Sequence, residues 1–252
     1  MAHTHSELSS ELTAAIKMDN IEEVQRLTHT SNTSMIELAA ASNATKVMGY
    51  LISRGGEVSD CTMKALSDNS SWDTHRYLVE CDAVDVNHHV PWIGDMISSA
   101  IQDGNAEHVK FLLDHGADPL LHRYDEAWTN LAGAASTGRA DIVEMLLPYP
   151  WKQSGALPAA ADEGHVEIVQ LLLSHGFDIN EVGIIVEDHE LSRPKAGTAL
   201  HKAVQRDDVV LIKVLLEAGA DRGVKDGKGR TVDELAREKG NSRVLQVLGA
   251  AA

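Results

Sequence analysis

Thirteen histidines, 38 Asp and Glu residues and two cysteines are the side chains with which this chain could hold a metal or activate a nucleophile. A zinc site built on one element needs two His at i and i+4 with a carboxylate, or Cys residues a few positions apart. His88-His89 and His189 make no such set, and Cys61 and Cys81 stand singly. Gly-x-Ser-x-Gly, a phosphate-cradling glycine loop and His-Glu-x-x-His are all missing from the sequence. Gly223–Gly229 is glycine-rich and carries Lys225 and Lys228, but no strand-to-helix pattern surrounds it. No metal, cofactor or catalytic residue is therefore expected. A Ser/His/Asp set gathered from distant parts of the chain would not show in the sequence.

The charge balance narrows the partners. Against 38 acidic residues stand 22 Lys and Arg, a net charge of −16. Phosphate surfaces need a basic footprint, so nucleic acid and anionic membranes are not expected as partners. A basic partner fits, although such a charge also keeps a protein soluble without any partner. No apolar run approaches the ~18 residues of a membrane span. Two cysteines make no disulfide framework, and Met1-Ala2-His3-Thr4 opens without a basic, then apolar, leader. A cytoplasmic or nuclear location is expected.

The elements that would position any site repeat along the chain. Ala100 through Asp118 and Ala160 through Asp178 are near copies, and Ala203 through Asp221 is a third; Leu38 through Glu57 is looser. Each copy reads as a short Ala-rich helix, a break such as Gly104-Asn105 or Gly164-His165, and a longer helix ending on Gly and Asp. In the longer helices Val109, Leu112 and Leu113, and again Val169, Leu172 and Leu173, sit at i, i+3 and i+4 on one stripe. A glycine after the stripe suits the left-handed conformation that closes a helix. Two such helices cannot bury their stripes alone, whereas stacked copies can.

This unit resembles the ankyrin repeat, whose Thr-Pro-Leu-His-x-Ala signature is nearly kept at Thr198-Ala199-Leu200-His201-Lys202-Ala203. The resemblance runs over residues 9–249 and implies an all-α solenoid with short hairpin-like fingers, preceded by a polar tail at 1–8. Aligned helix-opening positions are Ser10, Ser34, Cys61, Asp95, Thr129, Gly155, Thr198 and Thr231, hence eight units. Six of the eight are Ser, Thr or Asp, which cap helix N-termini. The unit at Cys61 is the most divergent, with His75 where Val is usual. After Thr129, Pro148 and Pro150 replace the Gly-Ala-Asp stop and end the helix early. About ten residues beyond the family period of ~33 are inserted in the loop 181–197. His201 is the family's structural histidine, and His115 and His175 fall at helix C-termini.

The resemblance also implies where a partner would bind: on finger tips and on the exposed end of each first helix, along a concave groove. Carried over unit by unit, these positions are Trp92, Gln102 and Asp103; Asp125, Glu126, Trp128 and Ser136; Trp151, Asp162 and Glu163; His189 in the inserted loop; and Arg206. Three of the four tryptophans fall here among carboxylates. Aromatic anchors recur in binding hot spots, and an aromatic face beside carboxylates attracts cations. The expected function is a protein-binding scaffold that engages a protein or peptide, basic in character. The alternative is a small-molecule or catalytic pocket between the groove tryptophans and the 181–197 loop. The plain structural alternative is that each tryptophan packs on its own finger.

Overall fold

The computed structural model describes residues 8–90, 94–121, 129–151, 154–183 and 196–250. Among these, helices come in eight pairs. The first four pairs are α1 (Ser10–Lys17) with α2 (Ile21–Leu27), α3 (Thr33–Ala41) with α4 (Thr45–Ser53), α5 (Asp60–Asp68) with α6 (Trp72–Glu80), and α7 (Met96–Gln102) with α8 (Ala106–Asp114). The last four are α9 (Asn130–Ser136) with α10 (Ala140–Leu146), α11 (Ala156–Glu163) with α12 (Val166–Ser174), α13 (Ala199–Gln205) with α14 (Val209–Glu217), and α15 (Val232–Lys239) with α16 (Ser242–Ala250). One finger before α7 forms an antiparallel hairpin of β1 (His89–Val90) and β2 (Gly94–Asp95), pairing His89 with Asp95.

Contacts gather into two compact units: residues 1–99 with 111–117, and residues 100–110 with 118–252. In the first unit, first helices pack on first helices (α1 on α3, α3 on α5) and second on second (α2 on α4, α4 on α6). Its core is one layer of aliphatic side chains between the two rows, including Ile16, Val24, Ile36, Met48, Leu51, Leu66 and Leu78, all fully buried. Successive pairs are also tied by polar groups at the turn between their helices. Asp19 and Asn43 occupy the left-handed region there, which Asp and Asn tolerate better than most residues. Asp19 Oδ1 accepts the Val47 amide at 2.8 Å, and Asn43 Oδ1 accepts the Thr74 amide at 3.1 Å. Each acceptor meets a helix start, where amides lack intrahelical partners.

The second unit repeats the plan, with α11 between α9 and α13, α13 against α15, and α10·α12 and α14·α16 forming the second row. Leu131, Ile142, Leu157, Val169, Leu172, Leu200, Leu215 and Val244 are fully buried. On α12 the buried face is Ile168, Val169 and Leu172, while Leu173 is only half-buried. The stripe is thus rotated by a residue from the sequence expectation.

Helix openings follow capping chemistry. Thr129, Thr198 and Thr231 each accept an amide from the first turn, and Asp95 Oδ1 accepts the Ser98 amide at 2.8 Å. In the first three pairs the capping residue is Ser9, Asn32 and Ser59, ahead of Ser10, Ser34 and Cys61. The physical reason is which side chain reaches the first turn: Ser9, Asn32 and Ser59 accept the amides of Leu12, Met35 and Thr62, three residues on, and so set the helix starts. The divergent pair opening near Cys61 is fully formed, with Ser59 and Thr62 in a reciprocal capping box. His75 is buried there beside Trp72, their ring centroids 5.2 Å apart.

Candidate partner-binding face

The described candidate residues all belong to the second unit. Gln102, Ser136, Asp162, Glu163 and Arg206 stand at corresponding ends of α7, α9, α11 and α13, with Asp103 one position beyond α7. Gln102, Asp103, Glu163 and Arg206 are exposed, and Ser136 is half-buried with its hydroxyl donating to the Gly133 carbonyl at 2.8 Å. Trp92, Asp125, Glu126, Trp128 and His189 lie outside the described residues.

A polar device organises these helix ends. The last carbonyls of a helix have no intrahelical donor and carry its negative pole. Here each is met by a side chain from the following pair. The Arg139 guanidinium donates to the Gly104 carbonyl. His165 Nε2–H donates to Ser136 O at 3.1 Å, Arg206 Nη1 to Asp162 O at 2.7 Å, and the Lys239 ammonium to Gln205 O. Donors on a later pair also reach back in the first unit, where the Tyr50 hydroxyl donates to Thr28 O at 3.1 Å and the Arg54 guanidinium to His29 O. Glycine makes this possible: Gly138 has φ +77°, and a Cβ there would lie 2.7 Å from the His165 ring. Lys202 is nearly buried and holds the Asp162 carboxylate at 2.8 Å. Arg139, Lys202, Arg206 and Lys239 are consequently engaged, while the side chains of Glu163 and Gln102 form no hydrogen bond among the described residues.

Trp151 is half-buried and spends its polar edge locally. Its indole N–H donates to Leu146 O at 2.8 Å, closing the end of α10 just where Pro148 stops the helix. Its apolar ring is what remains for a ligand.

Two polar clusters stiffen the fingers beside this face. His201 Nδ1 accepts from the Thr198 hydroxyl at 2.9 Å and Nε2–H donates to Arg230 O at 3.0 Å, which joins one unit to the next. Burial pushes this imidazole below its ordinary pKa, more than its contacts with the Arg230 carbonyl and Asp226 raise it. Asp226, whose carboxylate is wholly buried, accepts the amides of Lys228 and Arg230 and two guanidinium bonds from Arg230. Burial opposes its ionisation, but Arg230 and those amides prevail and hold it below the carboxylate range.

At the inserted loop, Gly183 N–H donates to Gly197 O at 3.2 Å, so the stem of the insertion is closed. Residues 184–195 lie outside the described residues. Glu181 at the stem accepts the Gly155 amide at 2.9 Å, and burial raises its pKa against the effect of that bond. Gly155 has no side chain to cap α11, and Glu181 from the following finger does so instead.

Models of ankyrin repeats match residues 96–183 and 157–216. Human cyclin-dependent kinase inhibitor 2A is 33% identical over 133 residues, covering 48% of this chain and 76% of that protein. The chain belongs to the ankyrin-repeat family. A bovine mitochondrial disaggregase is 31% identical over 148 residues, 56% of this chain but only 21% of that protein's length. The crystal structure of the human ASB11 ankyrin repeat domain superposes with a TM-score of 0.56 at 17% identity, covering 97% of this chain and 98% of that one. Ankyrin repeats generally mediate protein–protein interaction.

Within this ankyrin chain, the sequence had marked the helix ends without showing how they are used. Arg206, expected as a partner contact, reaches back to Asp162 O. Asp162, expected among the partner-binding residues, is paired with Lys202. Glu181 as a cap was missed; the signal available was Gly155, an opener unable to cap its own helix.

Proposed function

We propose that this chain is a protein-binding ankyrin module that holds a basic segment of a partner protein on the first-helix face of residues 100–206. The observation that supports this most is the fate of the nearby cations. Arg139, Lys202, Arg206 and Lys239 are committed to carbonyls and to Asp162, and so the exposed helix ends present Gln102, Asp103 and Glu163 outward. A partner's Lys or Arg meets the Glu163 carboxylate there with little opposing charge, and the chain's net −16 steers it to the surface. The repeat register is the ground on which Trp92, Asp125, Glu126 and Trp128 are proposed for the same surface, and the inserted loop the ground for His189.

The test is a charge reversal at two exposed positions, Asp103→Lys with Glu163→Lys. Fluorescence anisotropy with a labelled Arg/Lys-rich peptide on the full chain should show saturable binding that weakens at least fivefold in the variant. The thermal unfolding temperature should not move. Equal binding by both proteins would place the basic segment elsewhere.

A further inference from the structure

We propose a second docking surface on the other row of helices, a groove between α14 and α16 that takes an acidic amphipathic helix of a partner protein. The groove has a volume of about 490 Å³. From α14 it is lined by Val209, Lys213 and Leu216, which fall at i, i+4 and i+7 on one stripe, and by Glu217. From α16 come Arg243 and Val247 at i and i+4, with Gln246 beside them. Val210, next to Val209 in the chain, is 63% exposed although it is a large aliphatic residue.

Charge decides the occupant. The chain as a whole is strongly acidic, yet residues 222–243 hold seven Lys and Arg against four Asp and Glu. Several of these cations are spent inside the fold: Arg222 on Asp233, Arg230 on Asp226 and Glu238, and Lys239 on Asp207. Lys213 and Arg243 are not. Among the described residues neither side chain forms a hydrogen bond or ion pair, and Glu217, four positions from Lys213, pairs with neither. Two uncommitted cations therefore flank an apolar floor. An amphipathic helix laid in such a groove seats its apolar side chains on Val209, Leu216 and Val247 and reaches the two cations with carboxylates. A basic segment, suited to the first-helix face, is repelled here. A module with both surfaces would bridge two partners of opposite charge, each read by a different row of helices.

The experiment uses the full chain and a fluorescein-labelled peptide designed as an amphipathic helix, with Leu at i, i+3, i+4 and i+7 and Glu elsewhere. Two controls carry Gln for Glu or Ser for Leu. The acidic peptide should bind saturably and at least tenfold more tightly than either control. The double variant Lys213→Glu with Arg243→Glu should weaken it at least tenfold. Gln246→Trp, which fills the groove without changing charge, should weaken it as well. Far-UV circular dichroism and the melting temperature check that both variants fold. The Asp103→Lys and Glu163→Lys variant should bind this peptide as the wild type does, so failure at one face is separable from failure at the other. No saturation, equal binding of the Gln peptide, or insensitivity to both groove variants would overturn the proposal. Displacement by a short dicarboxylate at equal concentration would also do so, by making the groove a small-molecule site. So would a dimer seen in sedimentation that the double variant dissolves, because a second copy would then be the occupant.

Discussion

His201 shows what a single residue does in this stack. Its ring bridges the Thr198 hydroxyl and the Arg230 carbonyl of the following pair, and burial favours its neutral form. In the unfolded chain it titrates near ~6.5. Its folded pKa lies below that, so the unfolded state binds the proton first as pH falls. The stability this histidine contributes is complete above the unfolded value and declines as pH drops from there toward the folded one. Urea titrations should show a lower midpoint at pH 5.5 than at pH 7.5. The variant His201→Asn should lose about 1–3 kcal/mol at pH 7.5, the cost of breaking a buried hydrogen-bonded pair. Its pH dependence should also be shallower than the wild type's. A variant with the full wild-type pH slope would show that other histidines carry the effect.

At the scale of the element, stability comes from thin helical stripes. Leu172 is completely buried on α12, between its own first helix and the neighbouring pair. Leu172→Ala should cost about 2–5 kcal/mol, read as a lowered urea midpoint, as for other buried large-to-small changes. Leu173→Ala should cost less, because that side chain is only half-buried. The inserted loop is the opposite case. Its stem is closed by Gly183 and Gly197, while Glu181 and Ala196 at its feet are packed. Replacing residues 184–195 by a short Gly-Ser link should leave the helical signal and melting temperature nearly unchanged, since loop-closure entropy varies slowly with length. A protein that then fails to fold would place Ile184, Ile185 and Val186 in the core.

On the scale of the whole molecule, charge is uneven. The basic stretch at 222–243 sits at the end of a chain whose total is −16. Binding of a basic peptide at the first-helix face should weaken steeply as salt rises, because exposed charges are screened beyond about 10 Å at 0.1 M. A salt-independent affinity would point to burial of apolar surface instead. Because each pair touches mainly its neighbours, stability is close to a sum of local terms. A charge reversal on an exposed helix end should therefore alter binding without altering unfolding.

Much of the fold was legible in the residues. The near copies at Ala100 and Ala160, the glycines that end their helices and the threonines at 129, 198 and 231 state a helix-pair repeat directly, since each is a local preference of the backbone. The caps at Ser9, Asn32 and Ser59 lie one or two residues ahead of the aligned openers, because in these divergent copies neighbouring Ser and Asn side chains compete for the same first-turn amides. The candidate face was legible as positions and not as chemistry. Whether Arg206 and Asp162 face a partner, or are spent on the Asp162 carbonyl and on Lys202, depends on which side chains neighbouring pairs bring within hydrogen-bond reach. The same holds for Glu181 capping a helix 26 residues earlier, and for Lys213 and Arg243 lining one groove from two helices. Local propensity writes helices and their ends into the sequence. Pairings between side chains far apart in the chain exist only once the pairs have stacked, and they decide which charges are spent and which are left for a partner.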